Sequence, residues 1–422
     1  MYHLRILGNH TPAQLRTEIE KVNPAATELR DHIAKAVSRA VKLERVPSRV
    51  ARFIFQELVL EGGDVVLPPR LDEASPAPVD VLLFGTDYQL QHLAVRIRTQ
   101  GDSELNILAD HLERALTPFR ALSRAFASFR DTRFDWGART YVMGIVNVTP
   151  DSFSGDGVIP RLSLGTRTAD EYVALAVAHA EQLLADGADI LDIGGESTRP
   201  GSQPTPAEEE LRRVIPVIRA LRQKVAAPIS IDTYKADVAR AALDAGADIV
   251  NDVWGLRMDA EMKRVVAERG APVVIMHNRS QPKDAAQSER LGGRYIGVEY
   301  TDLMSDIIRE LREQIELGLD AGIAPDKIII DPGIGFGKTV EQNLELLNRA
   351  DELRVLGYPV LIGPSRKGFI GFTLDLPVNE RVEGTAAAVA VSVMRGADIV
   401  RVHDVKQMAR VAKMTDAIVR TR

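Results

Sequence analysis

Residues 141–157 read YVMGIVNVTPDSFSGDG. The apolar run 141–148 predicts a buried strand that ends near the amide of Asn147, and a polar loop containing glycine follows it. The same pattern of a short apolar run ending in polar or charged residues recurs in ILDIGGESTR, ISIDT, IVNDV, VVIMHN, IIIDPG, VLIGPSRK and IVRVHD. The second part of the chain therefore repeats one unit eight times.

Segments with helical spacing separate these runs and follow the last one. They are residues 169–186, 207–225, 235–245, 259–269, 298–319, 340–356, 379–395 and 405–421. Several of the helices end at a glycine, as in DGAD, AGAD and RGAD, where glycine adopts the left-handed conformation that closes a helix. Eight strand and helix units predict an α/β fold, a closed (β/α)8 TIM barrel over residues 136–422. An open doubly wound sheet is the alternative, but the regular repeats and the final helix favour closure.

Composition limits the class of protein. With 45% hydrophobic and 27% charged side chains, the composition is typical of a globular protein. The length of 422 residues allows two or three domains, or fewer if one is a barrel. A net charge of −6 argues against nucleic acid as a partner, and the absence of cysteine excludes disulfides and thiolate metal sites. The sequence shows no signal peptide and no membrane span, so we expect a cytoplasmic protein.

Residues 1–135 lack this repeat and predict a smaller N-terminal domain of α/β or α+β class, with an accessory role. Helices are predicted at 13–23, 26–43, 49–60 and 104–116, and strands at 79–86 and 93–100. Basic residues recur every three or four positions, namely Lys35, Arg39, Lys42, Arg45, Arg49 and Arg52. We interpret them as a solvated face rather than a docking site for an acidic partner. No catalytic group of residues is evident in this domain.

Closure of the barrel would bring the polar strand ends to one mouth, where the active sites of such barrels lie. The residues delivered there are Asn147, Asp192, Asp232, Asn251, Asp252, His277, Asn278, Asp331, Ser365, Arg366, Lys367, Arg401, His403 and Asp404. Any one of them could cap a helix, but caps do not require lysine, arginine or histidine. As a set they predict a binding site.

The chemical types in this set indicate the ligand class. Asp232, Asp331 and Asn251 suit a ring with several N–H donors, because a carboxylate accepts two parallel hydrogen bonds. Lys367, Arg401 and His403 suit an anion. The mouth is therefore predicted to bind a polar heterocycle that carries phosphate. The run 331–339, DPGIGFGKT, is close to a Walker A loop, but Pro332 stands where that pattern needs glycine, and we reject it.

These segments closely resemble dihydropteroate synthase: NVTPDSFSGDG, DIGGESTRPG, SIDT, VND, DPGIGFGK, SRKG and RVHDV. They occur in order at seven of the eight strand ends and span the second domain, about two thirds of the chain. The resemblance implies a TIM-barrel enzyme that condenses 6-hydroxymethyl-7,8-dihydropterin pyrophosphate with 4-aminobenzoate to give 7,8-dihydropteroate and pyrophosphate. It also implies a homodimer formed through barrel helices, and Mg²⁺ as a cofactor.

The resemblance further implies a role for each matching position. The pterin pocket would consist of Asp232, Asn251, Asp331, Lys367, Met276 and Phe336. The pyrophosphate site would consist of Asn147, Arg401 and His403, with Asn147 as the Mg²⁺ ligand and Arg401 also against the pterin. The aminobenzoate site, where sulfonamides compete, would consist of Phe153, Thr198, Arg199, Pro200, Ser365 and Lys367. The catalytic residues would be Asp232, Asp331, Lys367, Arg401 and His403.

Two features depart from that family, and three other functions are alternatives. The loop at 158–168 is longer than usual, and Trp254 stands where a small residue is common, either narrowing the pocket or packing on its rim. A pterin-binding methyltransferase with a corrinoid partner is opposed by the SRK and RVH motifs. An aldolase using Lys367 as a Schiff base and a non-enzymatic pterin-binding protein are the other two.

Overall fold

A computed structural model gives the fold of two compact units, Met1–Pro118 and Phe119–Thr421. The residues that it describes are 12–22, 29–69, 71, 77–101, 103–116, 126–130, 132–148, 169–196, 204–279, 287–288, 294–295 and 299–420. Within these ranges, no helix combines the length and the apolar character that a membrane span requires.

The first unit is the small α+β domain that the sequence predicted. Its elements are α1 Pro12–Val22, α2 Leu29–Ala36, β1 Ser38–Val46, α3 Ser48–Leu60, β2 Asp64–Val66, β3 Val79–Thr86, α4 Asp87–Arg98 and α5 Ser103–Leu116. The three strands pair antiparallel in the order β1, β3, β2, and helices cover one face of the sheet around a core that includes Ile54, Leu83 and Leu93.

Two sequence predictions in this unit are wrong. The predicted helix 26–43 ends at Ala36, because Val41 and Leu43 alternate with charged residues and pair with β3 as a strand. Arg39 consequently pairs with Asp87 at 2.8 Å, and the basic residues do not form a single helical stripe. Residues 93–98 of the predicted strand 93–100 belong to α4, which Thr86 caps through a reciprocal hydrogen-bonded box with Gln89.

The second unit is a closed (β/α)8 barrel, as predicted. Its eight strands are β6 Tyr141–Asn147, β7 Ile190–Gly194, β8 Ile229–Asp232, β9 Ile249–Asp252, β10 Val273–Met276, β13 Ile328–Asp331, β14 Leu361–Ile362 and β15 Ile399–Val402. They run parallel and follow one another around the ring, and a bridge between Ile330 and Val360 joins β13 to β14 and closes it. Two short strands, β11 Gln287–Ser288 and β12 Arg294–Tyr295, pair outside the ring.

Helices surround the barrel at the positions that the spacing predicted. They are α6 Ala169–Ala185, α7 Ala207–Arg222, α8 Ala236–Ala245, α9 Met262–Arg269, α10 Leu303–Asp320, α11 Val340–Asn348, α13 Val382–Met394 and α14 Val405–Val419. The predicted helix 340–356 is α11 followed by a 3-10 segment, Ala350–Leu356, and a short helix, α12 Gly368–Leu374, was not predicted.

A β-hairpin closes the N-terminal end of the barrel. Its strands are β4 Phe126–Phe129 and β5 Thr132–Asp135, and Phe134 packs against Phe129, Trp136 and Tyr141. These rings join one buried cluster with residues near the beginnings of the barrel strands, such as Ile190, Ile249 and Ile399. The hairpin therefore belongs to the barrel unit, and the compact units divide after residue 118, whereas the sequence predicted a boundary after residue 135.

Candidate functional site

The mouth of the barrel gathers most of the side chains that the sequence singled out. Strands that run parallel around a ring present their carboxyl ends at the same face. Those ends carry Asn147 on β6, Asp232 on β8, Asn251 on β9, Met276 on β10, Asp331 on β13 and Arg401 on β15, while Ser365 and Lys367 follow β14 and His403 follows β15.

Arg401 is the centre of the charge network. Its Nε donates to Oδ2 of Asp192 at 2.5 Å, and its Nη2 donates to Oδ2 of Asp232 at 2.5 Å. Burial lowers the pKa of Arg401, but the two carboxylates outweigh burial and raise it, so the guanidinium stays charged. Asn251 donates its amide to the same Asp192 oxygen at 3.1 Å.

The two carboxylates keep further acceptor capacity. In the described part of the chain, neither Oδ1 of Asp192 nor Oδ1 of Asp232 has a hydrogen-bond partner, although both atoms are buried. Burial raises the pKa of Asp232 to about 7; Arg401 opposes this shift and the charge of Asp192 adds to it. A buried acceptor without a donor is costly, so these oxygens suit a ligand with N–H groups.

Asp192 belongs to this site, although the sequence analysis placed it at the mouth without a binding or catalytic role. It lies in the middle of β7, fully buried, rather than at the end of the strand. The available signal was the acidic residue inside the apolar run ILDIG, because a buried charge requires a partner.

Asp331 and Lys367 form a second group, around the turn after β13. Oδ1 of Asp331 accepts from the backbone N–H of Gly333 at 2.7 Å. Burial raises the pKa of Asp331, and Lys367 opposes the shift. Burial lowers the pKa of Lys367, and Asp331 opposes that shift in turn. The Lys367 ammonium donates to the carbonyl of Ile334 and lies 4.2 Å from the centroid of the Phe336 ring.

Apolar side chains form a wall beside these charges. Met276 and Trp254 are buried in one cluster, and Tyr234 and Phe336 pack against it. The Trp254 ring meets Tyr234 edge to face, with 4.8 Å between the centroids. Such a wall offers flat contact to an aromatic ring.

Ser365 and His403 are in direct contact. The Ser365 hydroxyl lies 3.1 Å from Nδ1 of His403 and accepts from the His403 backbone N–H at 3.1 Å. Next to them, Arg366 binds Asp404 through two parallel bonds, of 2.9 and 2.5 Å. That bidentate pair holds the segment after β14 against the segment after β15.

Four predicted aminobenzoate contacts, Phe153, Thr198, Arg199 and Pro200, lie outside the described residues, as does the longer loop 158–168. Glu196, the last described residue before position 197, is held by an ion pair. Glu196 accepts from Lys235, which also binds the buried Glu210 at 2.5 Å.

The metal prediction rests on Asn147. Within the described ranges, no three His, Cys, Asp or Glu side chains are grouped so that they could hold a metal ion. Asn147 lies at the mouth near Asp232. A Cβ on Gly194 would lie 3.7 Å from Oδ1 of Asn147 and 3.7 Å from Oδ2 of Asp232, so the two side-chain oxygens lie beside the same glycine.

Comparison with known proteins identifies a pterin-binding family and relatives that are dihydropteroate synthases. Residues 143–403 match the family model described as "Pterin binding enzyme". Dihydropteroate synthase from Clostridium beijerinckii is 47% identical over 288 residues, covering 68% of this chain and 97% of that protein. A probable bifunctional folylpolyglutamate synthase/dihydropteroate synthase from Haloferax volcanii is 39% identical over 93% of this chain and 45% of its own length.

Solved structures of dihydropteroate synthases also align with this chain. The dihydropteroate synthase of Clostridium difficile, solved in the presence of pteroic acid, aligns with a TM-score of 0.60 and 47% identity over 68% of this chain and 100% of its own. That of Xanthomonas albilineans with 4-aminobenzoic acid aligns with a TM-score of 0.61 and 42% identity, over 70% and 98%. These relatives favour the synthase over the methyltransferase, aldolase and binding-protein alternatives. The chain belongs to the pterin-binding enzyme family, as a dihydropteroate synthase of folate biosynthesis.

Proposed function

We propose that this chain joins 6-hydroxymethyl-7,8-dihydropterin pyrophosphate to 4-aminobenzoate, forming 7,8-dihydropteroate and releasing pyrophosphate. The observation that carries the proposal is the Arg401 guanidinium bound between two buried carboxylates at the barrel mouth. Such a group offers hydrogen-bond acceptors to a pterin ring and positive charge to a phosphate ester. The related structures with pteroic acid and 4-aminobenzoic acid support the same pair of substrates.

Pterin recognition would use acceptors at the edge of the ring and apolar groups on its faces. Asp232 and Asp331 would accept from ring N–H groups, and Asn251 would contribute its amide. Among the described residues, Oδ1 of Asp232 has no hydrogen-bond partner, which supports this role. Met276 and Phe336 would pack on the ring faces. Lys367 would donate to the carbonyl oxygen of the pterin.

Pyrophosphate would lie beside Arg401, His403 and Asn147. Magnesium binds few protein oxygens and commonly takes the rest of its ligands from substrate phosphates and water. One amide oxygen on Asn147 together with pyrophosphate oxygens is therefore a donor set that fits Mg²⁺. When bound there, the ion would neutralise charge on the leaving group.

The chemical step needs no covalent intermediate with the enzyme. The bond between the exocyclic carbon and oxygen breaks, and its electron pair leaves with pyrophosphate. Asp232 and Asp331 would stabilise the positive charge that develops on the carbon and the pterin. The nitrogen of aminobenzoate then forms the new bond and loses a proton to water.

The aminobenzoate site would consist of Phe153, Thr198, Arg199, Pro200, Ser365 and Lys367. Sulfonamides would compete there, as the complex of a Yersinia pestis relative with a sulfonamide drug suggests. We further propose that the protein is cytoplasmic and forms a homodimer through barrel helices. Analytical ultracentrifugation would test the dimer.

The test is to mix the purified chain with both substrates and Mg²⁺ and to follow pyrophosphate and dihydropteroate together. We expect equal amounts of both, and neither without a divalent cation. Asp331→Asn and Lys367→Ala should stay folded and lose about 100-fold or more in kcat/KM, whereas Lys413→Ala, an exposed lysine on α14, should not. Pterin binding without any dihydropteroate would overturn the proposal, and unchanged turnover in either variant would remove that residue from the mechanism.

A further inference from the structure

Lys338 lies beneath the turn that follows β13, almost fully buried with 5% of its surface exposed. Its Nζ donates to the carbonyl oxygens of Gly333 at 3.0 Å and Phe336 at 3.1 Å, and it lies 3.2 Å from Nδ1 of His277. An ammonium group has three N–H donors and no acceptor. These three neighbours therefore match the charged form, and a neutral amine would leave one of them without a donor.

The histidine side of this contact has a defined tautomer. His277 is fully buried, and its Nε2 lies 2.9 Å from Oε2 of Glu310. Burial, together with the charge of Lys338, lowers the pKa of His277 to about 3, so the ring is neutral at physiological pH. Burial raises the pKa of Glu310, but hydrogen bonds from His277 and Arg279 outweigh it and bring the pKa to about 2. An ionised carboxylate only accepts, so Nε2 carries the proton and Nδ1 accepts from Lys338.

The turn held by Lys338 carries parts of the pterin site. The Gly333 N–H donates to Asp331, the Ile334 carbonyl accepts from Lys367, and the Phe336 ring lies under the Lys367 ammonium. The start of the turn also requires glycine. Gly333 has φ +72°, and a Cβ there would lie 1.9 Å from the carbonyl oxygen of His277.

We propose that Lys338 is a positioning residue for the pterin site. Its ammonium, oriented by the His277 and Glu310 pair, holds the turn at 333–336 in the conformation that presents Asp331 and Phe336 to the ligand. Lys338 itself acts from below the turn, through the two carbonyls. The inference rests on the proposed function only for the identity of the ligand.

The arrangement makes pterin affinity depend on pH. Burial lowers the pKa of Lys338 to about 7. The charged or titratable groups that face it are Asp331 and Glu310, which oppose the shift, Lys367 and Arg279, which add to it, neutral His277, and Tyr300, whose ring centroid is 5.9 Å away. The ammonium form is present at pH values below its pKa and is lost as pH rises through it. Pterin affinity should therefore fall on the alkaline side.

The first measurement is made on the full chain with Lys338→Met, which keeps most of the length of the side chain and removes the ammonium group. The ligand is 6-hydroxymethyl-7,8-dihydropterin pyrophosphate with Mg²⁺, followed by calorimetry and steady-state kinetics. We expect the Kd and KM for this ligand to rise about 10- to 100-fold, whereas the KM for the aminobenzoate substrate stays nearly unchanged at saturating pterin. Lys413→Met, at an exposed position, is the matched control. A variant that unfolds more easily but keeps the wild-type pterin Kd would reduce Lys338 to a structural role.

The second measurement uses Glu310→Gln, which keeps an acceptor for His277 but removes the charge that favours the Lys338 ammonium. The alkaline fall in pterin affinity, recorded from about pH 6 to 9, should move to lower pH. Glu313→Gln on the same helix, with a side chain 60% exposed, should leave it in place. Lys367 also titrates in the site, but the charges that act on its pKa are those of Asp331, Arg401 and Asp232. A shift of the alkaline fall in Glu310→Gln therefore reports the titration of Lys338.

If the alkaline fall in pterin affinity stays at the same pH in Glu310→Gln, the inference is overturned, even if Lys338→Met fails to fold. Failure of the wild-type chain to form dihydropteroate would instead count against the proposed function. The positioning role would still be decided by direct binding of the pterin.

Discussion

Asp192 joins three strands through a single carboxylate oxygen, which accepts from Arg401 on β15 and from Asn251 on β9. Asp192→Asn keeps an acceptor of the same shape but removes one of the two charges that hold the guanidinium. We expect kcat/KM for the pterin substrate to fall about 100-fold, because in the proposed mechanism a loosened Arg401 would no longer contact the pterin and pyrophosphate together. Steady-state kinetics and a thermal unfolding curve would measure the two effects separately.

The matched control is Asp237→Asn on α8, where the side chain is 78% exposed and pairs with Arg240 on the surface. It makes the same chemical change without touching the mouth, and its kinetics should stay at the wild-type level. A wild-type kcat/KM in Asp192→Asn would show that Asp232 alone is enough to hold Arg401.

At the residue scale, the sequence predicts what a strand end delivers and misses what distant segments bring together. Asp331 and Lys367 stand at the ends of repeated apolar runs, so their place at the mouth follows from periodicity alone. The bond between Asp192 and Arg401 joins residues 209 positions apart and depends on the closure of the ring. Lys338 binds the turn at 333–336 from below and contacts His277, 61 positions away, which no local pattern reveals.

The hairpin β4–β5 is the element that fills the end of the barrel opposite the mouth. Phe134 is fully buried, and its ring centroid lies 4.8 Å from that of Phe129 and 4.6 Å from that of Tyr141. Phe134→Ala should lower the free energy of unfolding of the barrel by about 3 to 5 kcal/mol. Because the mouth is at the other end, kcat should change little in the folded fraction.

Urea unfolding and steady-state kinetics on the same preparation would test this separation. Arg133→Ala changes the neighbouring residue of the hairpin, whose side chain is 59% exposed, and should leave both quantities near wild type. A large loss of kcat in Phe134→Ala under conditions where the barrel is folded would mean that the hairpin influences the mouth.

At the element scale, the barrel strands and helices could be predicted because each repeats a clear period. The errors lie where tertiary pairing decides between two local patterns. Residues 38–46 can be read with helical spacing, but Val41 pairs with Leu83 and the segment becomes a strand. Residues 93–98 alternate like a strand, yet Thr86 caps a helix that includes them. Leu93, Ala94 and Ile97 fill the buried face of that helix.

The whole molecule combines a barrel that resembles complete enzymes with a first unit that many of those enzymes do not share. Relatives from Clostridium beijerinckii and Bacillus subtilis align over 97% and 89% of their own length but only 68% and 66% of this chain. The relative from Haloferax volcanii instead aligns over 93% of this chain, so its similarity extends into the first unit. The catalytic chemistry is thus expected to reside in the barrel alone.

Residues 119–422, produced without the first unit, should therefore fold and make dihydropteroate. We expect kcat/KM within about tenfold of the full chain, which corresponds to about 1.4 kcal/mol in transition-state free energy. The comparison requires both proteins at equal concentration, with circular dichroism to confirm folding and ultracentrifugation to compare their oligomeric states. Residues 1–118 added separately serve as the control. If the barrel folds but is inactive, and this addition restores turnover, the first unit completes the active site or the assembly that supports it, because only a missing contact could be supplied in this way.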